Sequence, residues 1–353
     1  MDTFYPLAGR LTRIVNHDST SSFSFHCNGE GVKFIHAVAD GIAVADIRNA
    51  VNVPDDILHS FFPLNGVLNY EGIYKPLLAV QLTELRDGIF ISCTMNHSVS
   101  NGTPFWHFFN TWFQISRGSR GDRDDHRQAL QVSSQPPPLF AHRYLNGIIE
   151  LPLRIPFEIP RTTFTPPPPI FQHRVFHFTK QTISQLKAKA KTNANAKMEI
   201  HNISSLQALL AHFWICVTRA RNLKANQEVS LGVMIGMRSR LEQVFGRTVS
   251  HTSEEARKLL QDWAKDPIMF KSAGITDNTT LSLGSSHRYN IYGNDFGWGR
   301  PIAVRSSREN MSDGKMTVFS GAEEGSIDFE VWLFPEVIQA MVNDAEFMNT
   351  ITV

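Results

Sequence analysis

Apolar positions run from Leu77 to Leu85 and again from Ile89 to Met95, and the two runs meet at Arg86-Asp87-Gly88. Asp-Gly between such runs signals a β-hairpin. After Gly102, Phe105, Phe108, Phe109, Trp112 and Phe113 recur at helical spacing from Pro104 to Ile115, and Pro104 suits a first helical turn. The stretch Met95-Asn96-His97-Ser98-Val99-Ser100-Asn101-Gly102 lies between them, so His97 is predicted in a strand-to-helix turn beneath an aromatic helix. An earlier hairpin is predicted to run through Ser22 to Cys27 and Val32 to Val38, turning at Asn28-Gly29.

The pattern then changes. From Ser116 to Ser134 the chain is polar and rich in Arg, Asp and Gly, as a surface loop is. Proline runs at residues 136–138 and 166–169 favour an extended, semi-rigid path. The crossover between two domains is therefore placed at residues 156–170, with residues 1–160 before it and 171–353 after it. A strand from His173 to Phe178 opens the second half, and Thr179 is a cap for the helix that follows. Leu206, Leu209, Leu210, Phe213, Trp214 and Val217 mark a buried helix. Val229 to Ile235 alternates like a strand and leads into Met237-Arg238-Ser239-Arg240. Ser253, with Glu254 and Glu255 behind it, starts another helix. A strand is predicted through Gly284-Ser285-Ser286-His287-Arg288-Tyr289. Strands and helices alternate in both halves, so the fold class is α/β, with two sheet-and-helix layers facing each other.

A chain of 353 residues suits two domains and a sizeable core. Hydrophobic residues make up 42% and charged ones 19%, as in an ordinary soluble globular protein. The net charge of +1 favours neither nucleic acid nor an anionic membrane surface. Cys27, Cys93 and Cys216 form no disulfide framework or metal spacing, which fits a reducing compartment. The start has no signal-peptide pattern, and no stretch is apolar enough to span a bilayer. The expectation is a cytoplasmic monomer without a metal.

The chemistry centres on His97. A neutral imidazole in a cleft can take a proton from a hydroxyl or amine that then attacks an acyl carbon. Gly102, free to take positive φ, can hold such a turn. Downstream, Asp295-Phe296-Gly297-Trp298-Gly299 reads as a structural turn: two glycines permit a tight backbone, Trp298 fills volume and Asp295 bonds local amides. The sequence has no GxSxG elbow, phosphate-binding loop, GxGxxG after a strand, or HExxH.

Taken in order, the His97 stretch and Asp295-Phe296-Gly297-Trp298-Gly299 resemble the HxxxD and DFGWG signatures of the plant BAHD acyl-CoA-dependent acyltransferases, with Asn101 in place of the aspartate. Phe4-Tyr5-Pro6-Leu7-Ala8-Gly9-Arg10-Leu11, Arg238-Ser239-Arg240, and Asn290-Ile291-Tyr292-Gly293-Asn294 before Asp295 extend the resemblance over nearly the whole chain. It implies two chloramphenicol-acetyltransferase-like domains with the active site in the cleft between them. It also implies acyl-CoA as co-substrate with no permanently bound cofactor, and an alcohol or amine of plant secondary metabolism as acceptor. His97 would be the general base. In the family the partner at the Asn101 position faces an arginine, here Arg238 or Arg240, and supports the turn together with Gly102. Asp295, Gly297, Trp298 and Gly299 would shape the fold near the coenzyme A channel, and Ser285 or Ser286 would offer a donor to an oxyanion or acceptor.

Against the family pattern the sequence is shortened ahead of Phe4 and after Arg240, so an exposed sheet edge and a wider cleft are expected. Two other functions fit the same residues. One is a non-catalytic paralogue binding a small molecule or a protein partner. The other is a lyase on the same fold, since the resemblance includes a plant enzyme that cleaves isochorismoyl-glutamate.

Overall fold

The computed structural model describes residues 2–48, 55–118, 149–157, 171–195, 203–234, 251–267, 278–284, 288–307 and 312–351. In the first half β1 (Arg10–Val15) and β2 (Ser21–His26) form a two-stranded antiparallel sheet. The turn between them is tied locally, with Asp18 accepting from the Thr20 amide at 3.0 Å and the Thr20 hydroxyl at 2.6 Å. The predicted pairing of Ser22–Cys27 with Val32–Val38 is not formed. Instead β3 (Lys33–Ala39) runs parallel to β4 (Leu78–Leu85), and β4 is antiparallel to β5 (Gly88–Met95). Gly29 (φ 69°) and Gly31 (φ 97°) adopt left-handed backbone between β2 and β3, so the chain leaves one sheet for the other instead of folding back.

The β4–β5 hairpin matches its sequence signal, with Leu85 opposite Gly88 across Arg86-Asp87. Its tip also organises the β3–β4 crossover. Asp87 Oδ1 accepts from the amide of Val44, the first residue of α1 (Val44–Arg48), at 2.7 Å. The short helix α2 (Asp55–Ser60) and a 3-10 turn (Asn69–Ile73) complete that crossover. Among the described residues β3 is an outer strand of its sheet, and its Phe34 and Val38 side chains are exposed, at 62% and 66%.

After β5 comes α3 (Gly102–Gly118), three residues longer than predicted at its end. Its Phe108 is buried with Phe4, Leu7, Leu78 and Val80, which seats the helix on its own sheet. Burying one such ring stabilises by roughly 1.5–3 kcal/mol.

The second half is a five-stranded mixed sheet in the order β6-β10-β9-β8-β7. Its strands are β6 (Gln172–Phe178), β7 (Ser230–Val233), β8 (Thr280–Gly284), β9 (Lys315–Ser320) and β10 (Ile327–Leu333). β6, β10 and β9 are antiparallel neighbours, whereas β9, β8 and β7 run parallel. Of the strand predicted through Gly284 to Tyr289, Gly284 belongs to β8, residues 285–287 lie outside the described residues, and Arg288 and Tyr289 lie in a turn. Helices α4 (Lys180–Asn195), α5 (Ser205–Ala220) and α7 (Pro335–Asn343), with the short α8 (Ala345–Met348), supply the apolar cover. The remaining helix, α6 (His251–Lys265), begins two residues before the predicted Ser253. Thr179 Oγ1 accepts from the Thr182 amide at 3.2 Å, as a cap should, and Ser204 with Gln207 forms a capping box on α5.

Alternation along these strands separates two faces. Phe176, Phe178, Leu281, Met316, Phe329 and Leu333 point to the helices and form the main core. The opposite face carries His173, His177, Asp328, Glu330, Lys315 and Thr317. Most of the predicted crossover, residues 158–170, lies outside the described residues, as do residues 119–148.

Candidate active site

The His97 turn is built by backbone bonds to Asn69 and Leu77. Asn96 donates its amide to the Leu77 carbonyl at 2.8 Å and its side-chain Nδ2 to the Asn69 carbonyl at 2.7 Å. Its Oδ1 accepts from the Ser98 amide at 3.0 Å, and the His97 amide donates to Asn69 Oδ1 at 3.0 Å. The main chain on both sides of His97 is therefore held, while the imidazole is exposed and has no hydrogen-bond or ion-pair partner among the described residues. Asn69 escaped the sequence reading, because a lone asparagine 28 positions upstream in a polar crossover carries no motif.

Asn101 caps α3. Its Oδ1 accepts from the Thr103 amide at 3.2 Å and its carbonyl from the Phe105 amide at 3.0 Å. The arginines expected to face it, Arg238 and Arg240, lie outside the described residues, as do Ser285 and Ser286. The cap alone yields a prediction. Asn101→Ala should cost about 1 kcal/mol of stability. Asn101→Asp should keep the cap and add about 0.3–1 kcal/mol from a negative charge at the positive end of the helix. Thermal unfolding of the two variants checks this, and an equal loss in both would discard it.

Gly102 does not serve the purpose predicted for it. Its φ is not positive, and it is the first residue of α3. A Cβ there would lie 2.9 Å from the Tyr289 hydroxyl, so the glycine provides clearance for a residue of the second half. Tyr289 also shares a hydrogen bond with Thr103 Oγ1 at 3.1 Å and stacks on Trp106 with centroids 6.1 Å apart.

The motif at Asp295 meets the same helix. Asp295 Oδ1 accepts from the amides of Gly297 at 2.7 Å and Gly299 at 3.0 Å. Both glycines have strongly positive φ (101° and 103°), which other residues rarely adopt. This turn presents Phe296 to α3, where its ring lies 5.6 Å from Phe109, 4.7 Å from Trp112 and 6.1 Å from Phe113. Trp298, predicted to fill volume, is 58% exposed; the tight turn sends Phe296 inward in its place. Phe296→Ala should therefore destabilise by about 2 kcal/mol. Trp298→Ala should stay within about 0.5 kcal/mol, as exposed substitutions do. Urea unfolding of both variants tests the contrast, and a larger loss for Trp298 would refute it.

A further link between the halves runs over the polar face of the second sheet. The fully buried Glu330 accepts from His173 Nε2 at 2.8 Å and from the Ser306 amide at 2.8 Å. The neighbouring Arg305 donates to the carbonyls of Ile47 (3.3 Å) and Arg48 (2.9 Å) at the end of α1, where no helical donors remain. Ser307 Oγ donates to Asn65 Oδ1 at 3.2 Å. On that face burial lowers the Lys315 ammonium to about 8, and the hydrogen bond with Asp328 raises His177. Among the described residues no group of three or more His, Cys, Asp or Glu is arranged to hold a metal ion.

The α3 helix thus carries His97 at its head and is gripped along its length by residues 289–296 of the second half. The model of the Transferase family matches the chain over residues 1–250 and 244–348. The chain belongs to the BAHD acyltransferase family. It is 36% identical to an uncharacterized acetyltransferase of Arabidopsis thaliana, over 99% of this chain and 84% of that protein. It is 29% identical to BAHD acyltransferase DCR of the same plant, over 99% of this chain and 78% of DCR. The fold is that of TRI101 from F. sporotrichioides, solved with coenzyme A and T-2, at a TM-score of 0.69 and 15% identity over 99% of this chain and 88% of that one. The alignment with the first relative spans 392 positions, 39 more than this BAHD chain has residues, so sequence present in the relative is missing here. The two stretches of the family match meet at residues 244–250, close behind Arg240.

Proposed function

We propose that this protein moves an acyl group from an acyl-CoA thioester to a hydroxyl or amine of a plant metabolite, with His97 as general base. The observation that carries the reading is the His97 turn: a clamped backbone presents an accessible imidazole at the head of the helix that the second half grips. An imidazole there takes the proton of the acceptor as its oxygen or nitrogen attacks the thioester carbonyl. Collapse of the tetrahedral intermediate breaks the carbon–sulfur bond, and the imidazolium returns the proton to the departing thiolate. Ser285 and Ser286, immediately after β8, are the chain's candidates for donors to the oxyanion. The TRI101 complex with coenzyme A supports the choice of donor by likeness of fold.

The test is thiol release from acetyl-CoA and hydroxycinnamoyl-CoA, measured with and without a panel of alcohol and amine acceptors. Acceptor-dependent release, with the acylated product seen by mass spectrometry, is the expected result. The exposed His97 side chain is open to water, so slow release without acceptor should accompany it. Thermal stabilisation by acyl-CoA without any release would establish the non-catalytic paralogue instead. Cleavage of an isochorismoyl-amino-acid conjugate without coenzyme A would establish the lyase.

A further inference from the structure

Tyr289 joins the second half to the first turns of α3, the helix that follows the His97 turn. We propose that Tyr289 is a positioning residue that sets where the His97 turn lies against the second half; this rests on reading His97 as the base. Three contacts converge on one phenol. Its hydroxyl shares a hydrogen bond with Thr103 Oγ1 at 3.1 Å. Its ring stacks on Trp106 at an interplanar angle of 27°. The same hydroxyl occupies the space that a side chain at residue 102 would take, with 2.9 Å to an ideal Cβ.

All three partners lie in the first turn and a half of α3, directly after the Asn101 cap. Five positions separate His97 from Gly102, and the intervening turn is bonded to itself and to Asn69. Asn101 is bonded to the Thr103 and Phe105 amides, so a shift at the head of α3 pulls on the short segment that ends at the Asn69-held His97 amide. Phe296 grips the same helix at Phe109, Trp112 and Phe113, about one to two turns beyond Trp106, and touches none of the residues that Tyr289 holds. The phenol hydroxyl holds the first turn, and a misplaced base loses rate without losing affinity for the acyl donor.

Tyr289→Phe tests the hydroxyl while preserving the stack on Trp106. The expected result is about a tenfold fall in kcat, with KM for acyl-CoA unchanged and nearly the same melting temperature. Gly102→Ala, which pushes against the hydroxyl, should lower kcat in the same way. In the double variant the losses should not multiply, because both changes break one link. Wild-type kcat in Tyr289→Phe, or multiplying losses in the double variant, overturns the proposal. If the wild-type protein shows no transfer, the general-base reading fails, and amide hydrogen exchange still decides the clamp. Faster exchange at the Thr103 and Phe105 amides in Tyr289→Phe supports it, and unchanged rates overturn it.

Discussion

His97→Ala should abolish acyl transfer, lowering kcat by about 10²–10⁴-fold, while the protein unfolds at the wild-type temperature. The separation of the two readouts follows from the geometry. His97 contributes its main-chain amide to the turn, through Asn69 Oδ1 at 3.0 Å, and alanine keeps that amide. The imidazole is exposed and bonds no other described residue, so its removal opens no cavity and orphans no buried group. Affinity for acyl-CoA, read by thermal shift, should be unchanged as well. A melting temperature lowered by several degrees would mean that the imidazole holds the fold, and the general-base role would fall with it.

Glu330→Ala should have the largest effect on stability at pH 7, at about 1–3 kcal/mol for each of two buried donors left without an acceptor. The carboxylate is 0% exposed and satisfies two donors, His173 Nε2 and the Ser306 amide. Alanine leaves both donors without that acceptor and a void between β6, β9 and β10. The loss should spread, because Ser306 follows Arg305, which ties the second half to the end of α1. Burial by itself would raise the Glu330 carboxyl, but the hydrogen bonds and charge of His173 and the bonds from Ser306 outweigh it and hold it below its ordinary value of 4.5. A depressed carboxyl contributes stability that is present above its unfolded pKa and lost as the pH falls through the folded one. The gap between wild type and Glu330→Ala should accordingly be widest near neutrality and narrow below about pH 4.5. Denaturant unfolding at pH 7 and pH 4 measures it. A gap under 1 kcal/mol, or one that does not narrow with acid, would show that the Glu330 hydrogen bonds do not hold this face.

Where the interactions are local, the sequence pattern and the structure agree. The β4–β5 hairpin, the aromatic α3, the strand from residue 172 to 178 and the Thr179 cap each rest on neighbours a few positions apart. The error over β2 and β3 has the opposite origin. Asn28-Gly29 is a good local turn, yet the left-handed Gly29 and Gly31 carry the chain away from β2, and β3 finds β4, each residue pairing with one 46 positions downstream. Local turn chemistry cannot rank such partners. The Asp295 turn divides in the same way. Its carboxylate and its two left-handed glycines were legible, because the turn closes on itself. Which aromatic ring goes inward depended on where α3 lies, and that choice fell to Phe296 and not Trp298.

The sequence by itself determined the α/β class, the placement of His97 between a strand and a helix, and the self-bonded Asp295 turn, since each is set by periodicity or by residues within one turn of each other. Tertiary structure alone decided the rest. Asn69 supports the His97 backbone, Gly102 makes room for Tyr289, and Glu330 anchors the segment that ties the halves through Arg305. Those contacts join residues that are distant in sequence, and only the packing of one half on the other selects which of many similar side chains meet.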